Sequence, residues 1–159
     1  MGNQNDFVLN VLKGLAIFAD LDDHALRDLS ALFDERIYAH DEIIFEEGAM
    51  GNSMMVITSG QVRVSQTQGP NVEEALIVLK EGDVFGEMAL IEDLPRSATT
   101  IAHTNVIIFE ISREHFLSYI EKDCVNGLKI VLKLARILSS RLRETDNKVK
   151  AFVNMSQWI

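Results

Sequence analysis

The chain has 159 residues, of which 47% are hydrophobic and 25% are charged, as expected for one globular domain with a full core. Its 15 basic and 24 acidic residues give a net charge of −9, which argues against general nucleic-acid binding, since that requires clustered lysine and arginine. No apolar run is long enough to cross a bilayer, the N-terminus lacks the basic region of a secretory signal, and one cysteine, Cys124, excludes an internal disulfide. We therefore expect a cytoplasmic protein that does not enter membranes.

Residues 7–35 are predicted to form N-terminal helices. Leu26, Leu29 and Leu32 recur at helical spacing, and Asp22 or Asp23 suits the N-cap position of a helix that contains them. The chain thus begins with helices that present one apolar face.

From residue 36 to residue 111 the pattern changes to short β runs that glycine-containing turns separate. Residues 59–61 are a candidate tight hairpin, and residues 68–71 a looser one. Many short strands with regular turns indicate a sandwich or barrel. The six runs are residues 42–45, 54–58, 61–65, 75–79, 98–102 and 106–111.

Helical spacing returns after Ser112, which opens a short helix over residues 113–120, and a long helix follows over residues 123–153. Residues 126–150 of this helix are basic, in contrast to the acidic remainder. Apolar residues spaced alternately four and three apart favour a coiled-coil homodimer, with packing of the helix on its own domain as the alternative. The predicted dimer seam consists of Val131, Ala135, Leu138, Leu142, Thr145, Val149 and Phe152.

The segment 85–99 has the chemistry of a sugar-phosphate site. After Gly86, residues 87–91 can form one helical turn whose free amides suit an anion. Glu87 would be repelled by a phosphate and is suited to accept hydrogen bonds from sugar hydroxyls. Arg96 offers a planar, permanently charged group that fits two phosphate oxygens.

Two motifs in this segment resemble the phosphate-binding cassette of the cyclic-nucleotide-binding domain family, which includes the effector domains of the catabolite activator protein and of protein kinase A regulatory subunits. They are Phe85-Gly86-Glu87-Met88-Ala89-Leu90 and Pro95-Arg96-Ser97-Ala98-Thr99, and residues 47–64 resemble the β-roll signature of the same family. The resemblance implies a single α+β, mainly β domain over residues 1–159. In it an antiparallel, double-stranded, jelly-roll-like β-roll (36–111) is flanked by N-terminal helices, a hinge helix (113–120) and a long C-terminal helix.

The resemblance also implies the role of each site residue. Glu87 would hold the ribose 2′-hydroxyl and Arg96 the cyclic phosphate. The amides that would complete the anion cradle lie around Gly86, Met88, Ala89 and Ser97, and the Ser97 hydroxyl is a further donor.

On the long helix, Arg141 matches a family arginine near the phosphate, and Thr145 matches a threonine that contacts adenine. Ile77 replaces a polar residue that contacts the base, and Asp146 replaces a serine that reaches across the dimer. Ser97 stands where threonine tends to favour cGMP and alanine cAMP. We therefore favour cAMP as the ligand, with cGMP as the second choice.

These observations predict a sensor that repositions its C-terminal helix when cyclic nucleotide binds and thereby regulates a partner protein. We expect no catalytic residue, metal or cofactor, and no helix-turn-helix module in the chain as it stands, because it ends at Ile159. The alternatives are a ligand-independent β-roll scaffold, a DNA-associated regulator related to the activator protein, and a β-barrel metalloenzyme. The last requires clustered ligands, whereas the four histidines are isolated: His24, His40, His103 and His115.

Overall fold

The computed structural model describes residues 2–67 and 73–156. In chain order its elements are α1 (Gly2–Gly14), a 3-10 helix (Ala16–Phe18), α2 (Asp23–Ser30), β1 (Asp34–Tyr38), β2 (Ile43–Phe45), β3 (Ser53–Ser59), β4 (Gln61–Thr67), β5 (Glu73–Lys80), β6 (Val84–Phe85), a second 3-10 helix (Glu87–Leu90), β7 (Thr99–Ala102), β8 (Val106–Ser112), α3 (Arg113–Lys122) and α4 (Cys124–Ser156).

The strands form two antiparallel sheets of four, with the orders β1-β8-β3-β6 and β2-β7-β4-β5. This is the predicted β-roll with flanking helices, so the fold class is confirmed. Both faces of β3 are buried. Met54 and Val56 pack in a hydrophobic cluster with side chains from the helices, whereas Met55 and Ile57 pack in a second cluster between the two sheets. A strand buried on both faces needs a continuous apolar run, as β3 has.

Two local signals act as predicted. The Asp22 carboxylate accepts a hydrogen bond from the Ala25 amide at 2.8 Å and caps α2. The Ser112 hydroxyl accepts one from the His115 amide at 3.1 Å and caps α3. Each of these caps depends on residues within three positions of each other. The tight hairpin predicted over residues 59–61 is wrong, because Gly60 connects β3 to β4, which lie in different sheets and do not pair with each other.

The predicted boundaries need correction at several places. The helices predicted over residues 7–35 begin and end earlier than expected. The first helix, α1, already includes Gly2, and the strand β1 begins at Asp34. The strand β1 was not predicted, whereas β6 ends at Phe85, where the sequence predicts the end of a strand. β1 is charged at three of its five positions and lacks alternation, and it becomes a strand because it pairs with β8 from Asp34↔Glu110 to Tyr38↔Val106. Residues 68–71, the predicted looser turn, lie outside the described residues.

The two C-terminal helices lie close to their predicted ranges, with α3 ending at Lys122 and α4 running over Cys124–Ser156. Ile130 and Leu134 anchor α4 in the helix-side core. In the part of the chain that the structure describes, no helix has both the length and the apolar character of a membrane span.

Candidate functional site

A cavity of about 510 Å³ lies between the second sheet, the segment 85–99 and α4. This volume falls in the range typical of small-molecule sites. The sheet forms its apolar floor, and α4 closes one side. The residues that line the cavity include Phe45, Val64, Ile77 and Thr100 from the sheet, Gly86, Glu87, Met88, Ala89, Arg96 and Ser97 from the segment 85–99, and Leu138, Arg141, Thr145 and Lys148 from α4.

Arg96 is 8% exposed and lines the part of the cavity that the segment 85–99 forms. Its Nη1 donates to the carbonyls of Ser53 and Gly86, both at 3.0 Å, and its Nη2 donates to the Ser53 hydroxyl at 3.2 Å. The guanidinium carbon lies 4.1 Å from the centre of the Phe45 ring, at cation–π distance. Every one of these acceptors is neutral.

No carboxylate of the described residues forms an ion pair with Arg96. Burial lowers the pKa of the guanidinium from its usual value, while the charges of Glu110 and Glu87 act in the opposite direction. A buried cation without a charged partner is costly. An anion in the cavity would supply that partner.

Two glycines make room for this guanidinium. A Cβ on Gly51 would lie 2.2 Å from Nε of Arg96, and a Cβ on Gly86 would lie 2.7 Å from its Nη1. Gly86 also has φ of 71°, a left-handed conformation that disfavours other residues. The backbone therefore requires glycine at both positions to bring Arg96 into the site.

Glu87 is 2% exposed and points into the same cavity. Its Oε1 accepts a hydrogen bond from Nη1 of Arg141 on α4 at 2.7 Å, and Nη2 of Arg141 donates to the Val84 carbonyl. Within the described residues, Oε2 of Glu87 is buried without a hydrogen-bond partner. The carboxylate therefore has one oxygen engaged by α4 and one available for a ligand.

The predicted helical turn is the 3-10 helix Glu87–Leu90, with Gly86 as its N-cap. The first amides of such a turn, on Glu87 and Met88, have no acceptor inside it. The Ala89 amide differs from expectation, because it already donates to the Gly86 carbonyl at 3.2 Å. Ser97 is exposed and lines the cavity, and its carbonyl accepts from Nε2 of Gln66 at 2.9 Å.

The predicted α4 seam has residues in two kinds of surroundings. Leu138 and Thr145 line the cavity, and the Thr145 hydroxyl donates to the Arg141 carbonyl at 3.0 Å. Leu142 and Val149 are 63% and 55% exposed and do not line it. The heptad spacing is present, but α4 is rotated so that two seam positions face the ligand cavity. The side chain of Phe152, the last seam residue, lies outside the described residues.

Several cavity residues were missed by sequence reasoning. Phe45, Val64 and Thr100 are cross-strand neighbours across the sheet, and Ser53 reaches Arg96 from a different strand. The alternation of β2, β4 and β7 could have placed the first three on one face. Nothing local marks Ser53 as an arginine acceptor.

The tip of the segment 85–99 is tied to α3, because the Asp93 carboxylate forms an ion pair with Arg113. Arg113 is the first residue of α3, and its amide donates to the Asn52 carbonyl at 2.6 Å. The described residues contain no group of three or more potential metal ligands.

Comparison with known proteins identifies the type of domain that carries this cavity. A model described as the cyclic nucleotide-binding domain matches residues 35–123. The chain is 32% identical over 136 residues to the cyclic AMP receptor protein of Thermus thermophilus, a match that covers 85% of this chain and 61% of that protein. It is 33% identical over 157 residues to the cGMP-dependent protein kinase egl-4 of Caenorhabditis briggsae, covering 94% of this chain and 21% of the kinase.

The crystal structure of Thermus thermophilus catabolite activator protein has a similar fold, with a TM-score of 0.75 at 29% identity, over 86% of this chain and 62% of that one. The chain thus spans about three fifths or less of the length of these relatives. The matched segment 35–123 is more than half of the chain and contains Glu87 and Arg96. The chain therefore belongs to the cyclic nucleotide-binding domain family.

Proposed function

We propose that this protein is a cyclic-nucleotide sensor, with cAMP as the preferred ligand and cGMP as a second ligand, which acts by binding rather than by catalysis. One observation carries the proposal: the buried guanidinium of Arg96 faces the cavity and has only neutral hydrogen-bond partners among the described residues. A cyclic phosphodiester carries one negative charge and suits this position.

The sugar would bind beside the phosphate. In the proposed complex, Oε2 of Glu87 accepts a hydrogen bond from the ribose 2′-hydroxyl, which relieves its lack of a partner. The ion pair with Arg141 keeps the carboxylate compensated while it does so. The free amides of Glu87 and Met88 and the hydroxyl of Ser97 complete the phosphate cradle.

The base would lie toward α4, with Thr145 as its polar contact. The Thr145 hydroxyl donates to its own helix, so its remaining lone pairs can accept from the amino group of adenine. Ile77, which is 40% exposed, offers an apolar surface to the ring. Relatives named for cAMP and for cGMP occur at similar identity. For this reason cAMP remains a preference and not an exclusive ligand.

Ligand binding would be coupled to α4 through Arg141 and to α3 through Asp93. Arg141 joins α4 to Glu87, and the pair Asp93–Arg113 joins the tip of the segment 85–99 to the start of α3. A ligand shifts such an equilibrium only by its different affinities for the two arrangements. Slower amide hydrogen exchange in the second half of α4 with cAMP is the expected signature, and unchanged exchange there would contradict the coupling.

We also propose that two copies associate through α4. Its C-terminal half, beyond Leu142, is exposed at every residue whose exposure is described, and an isolated helix of this length is marginal in water. An apolar stripe at spacings of three and four, continued through Ser139 and Asp146, lies outside the cavity lining and shares Ala135, Leu142 and Val149 with the seam predicted from sequence, which stays a prediction. The stripe consists of Val125, Leu128, Leu132, Ala135, Leu142, Val149 and Val153.

The regulated partner would be another protein, or a further domain, that recognises the position of α4. Exposed basic side chains near its C-terminal end, Arg143, Lys148 and Lys150, offer a docking surface for an acidic partner. From sequence alone, the exposed basic faces of the long helix and the tail around Trp158 are candidate docking surfaces, and this tail lies outside the described residues.

The binding proposal is tested by isothermal titration calorimetry of the wild type with cAMP and cGMP. Arg96→Leu should abolish binding while circular dichroism remains native. Arg27→Leu is the matched control, because Arg27 is exposed on α2 and distant from the lining of the cavity. A wild type that binds neither nucleotide, or an Arg96→Leu variant with unchanged affinity, would refute the assignment.

The association of two copies is tested by light scattering. Leu142→Glu places a charge in the exposed stripe and should convert a dimer to a monomer. Ile37→Glu is the control, because Ile37 is 69% exposed on β1 and lies outside the stripe. A wild type that is monomeric at high micromolar concentration would contradict the proposal.

A further inference from the structure

Thr100 lies in the centre of the cavity floor. It is on β7, where it pairs with Phe45 of β2 on one side and with Val64 of β4 on the other, and Val64 pairs with Ile77 of β5. All four residues line the cavity. They form one row across the second sheet in which Thr100 is the only member with a polar side-chain atom.

The hydroxyl of Thr100 is buried without a hydrogen-bond partner among the described residues. The residue is 2% exposed, and its Oγ1 has no acceptor or donor within reach. A buried hydroxyl that lacks a partner destabilises the folded state, whereas an apolar group of the same shape does not. Valine has nearly the shape of threonine and would suit the apolar neighbours. The hydroxyl is therefore unfavourable for the empty domain.

A similar hydroxyl, that of Ser65 on β4, has no ligand-facing position. Ser65 is 1% exposed and its Oγ also lacks a partner among the described residues, but it does not line the cavity. The two residues therefore differ in the property that matters here, which is access to a bound molecule.

We infer that Thr100 is an additional ligand-contacting residue, whose hydroxyl forms a hydrogen bond with the bound nucleotide from the floor of the cavity. The inference rests on the proposed function, because it requires a nucleotide above the row. In the empty site Oγ1 is covered, so the proposed contact requires that the side chain adopt another staggered rotamer of the Cα–Cβ bond when the ligand binds. The ligand then supplies the partner that the protein lacks.

This role makes a prediction of two opposite effects from one substitution. Thr100→Val should weaken cAMP binding by about tenfold, as expected for the loss of one buried hydrogen bond. The same substitution should raise the midpoint of thermal unfolding of the nucleotide-free protein, by about 2–4 °C, because it removes an unpartnered hydroxyl. A residue with only a structural role would not weaken binding while strengthening the fold.

Ser65→Ala is the matched control. It also removes a buried, unpartnered hydroxyl, so it should not lower the unfolding midpoint, but it should leave the affinity for cAMP within twofold of the wild type. Calorimetry with cAMP and with cGMP, and differential scanning calorimetry without nucleotide, give both readouts for the three proteins. An equal loss for the two nucleotides would assign the contact to the ribose or to the base edge that they share, and an unequal loss to the base edge on which they differ.

Three results would overturn the inference, and they can be distinguished. If the wild type binds cAMP and Thr100→Val binds it equally well, Thr100 has no ligand contact while the proposed function stands. If the wild type binds neither nucleotide, the proposed function and this inference fail together. A fall in the unfolding midpoint of Thr100→Val would show that its hydroxyl has a partner in the empty protein, which also contradicts the inference.

Discussion

The strongest test of the site geometry is a single methyl group, added by Gly51→Ala, at a position that does not touch the ligand. The new Cβ would lie 2.2 Å from Nε, 2.5 Å from Cζ and 2.7 Å from Cδ of Arg96. Ordinary contacts between such atoms are about 3.5–4.0 Å. Because the methyl group is fixed to the backbone, the arginine must move by about 1 Å or more.

The magnitude follows from the contacts that this movement breaks. Nη1 of Arg96 lies 3.0 Å from two carbonyls, and Nη2 lies 3.2 Å from a hydroxyl, so a shift of this size disrupts that geometry. A hydrogen bond to a charged group contributes about 1.5–3 kcal/mol. Loss of one well-placed phosphate contact therefore predicts an affinity for cAMP that is lower by a factor of about 10–150.

Calorimetric titration with cAMP measures this loss, and circular dichroism checks that the variant folds. Gly14→Ala is the control, because a Cβ at Gly14 would meet no atom within 4 Å. It should bind like the wild type. A folded Gly51→Ala variant whose affinity stays within twofold of the wild type would refute the argument that the position of Arg96 determines binding.

Two further predictions concern the other charges and a buried phenol. Arg141→Gln should lower the free energy of unfolding by about 1–3 kcal/mol and weaken cAMP binding, because it leaves the buried Glu87 carboxylate without its cation. Urea denaturation measures the first effect and calorimetry the second. Arg143→Gln is the control, because the guanidinium of Arg143 bonds only the Ser139 hydroxyl among the contacts described, and an equal effect of this variant would contradict the prediction. Burial raises the pKa of Tyr119 to about 12 from its usual 10, so the unfolded state loses this proton at a lower pH than the folded state does. The free energy of unfolding should therefore fall above about pH 10, by up to 1.4 kcal/mol per pH unit. Unfolding curves in this range should show a shallower decline for Tyr119→Phe, and an identical decline would refute the assignment.

Features that depend on neighbouring residues could be predicted from the sequence. The caps at Asp22 and Ser112 and the helical turn after Gly86 each involve residues a few positions apart. The motifs around Glu87 and Arg96 are equally local. The short runs that alternate with turns predicted a sandwich or barrel, and the resemblance to the family specified a β-roll.

Features that depend on distant partners could not be predicted. The charged strand β1 exists through its pairing with β8, more than 60 residues away. Arg96 finds its acceptor Ser53 at a separation of 43 residues, and Arg141 finds Glu87 at a separation of 54. The heptad spacing of α4 is real, but spacing does not define how a helix is rotated on its domain. The predicted seam therefore mixed positions such as Leu138, which faces the cavity, with exposed ones such as Leu142.

The walls of the cavity come from two parts of the chain, one inside and one beyond the segment that the family model matches. Glu87, Arg96 and the sheet floor lie inside the family match over residues 35–123, whereas Leu138, Arg141, Thr145 and Lys148 of α4 lie beyond it. In the proposed complex, Glu87 and Arg96 of the first group bind the sugar and the phosphate, whereas Thr145 of the second group is the polar contact of the base. A substitution at Thr145 can thus change a contact with the base without removing the cation that binds the phosphate.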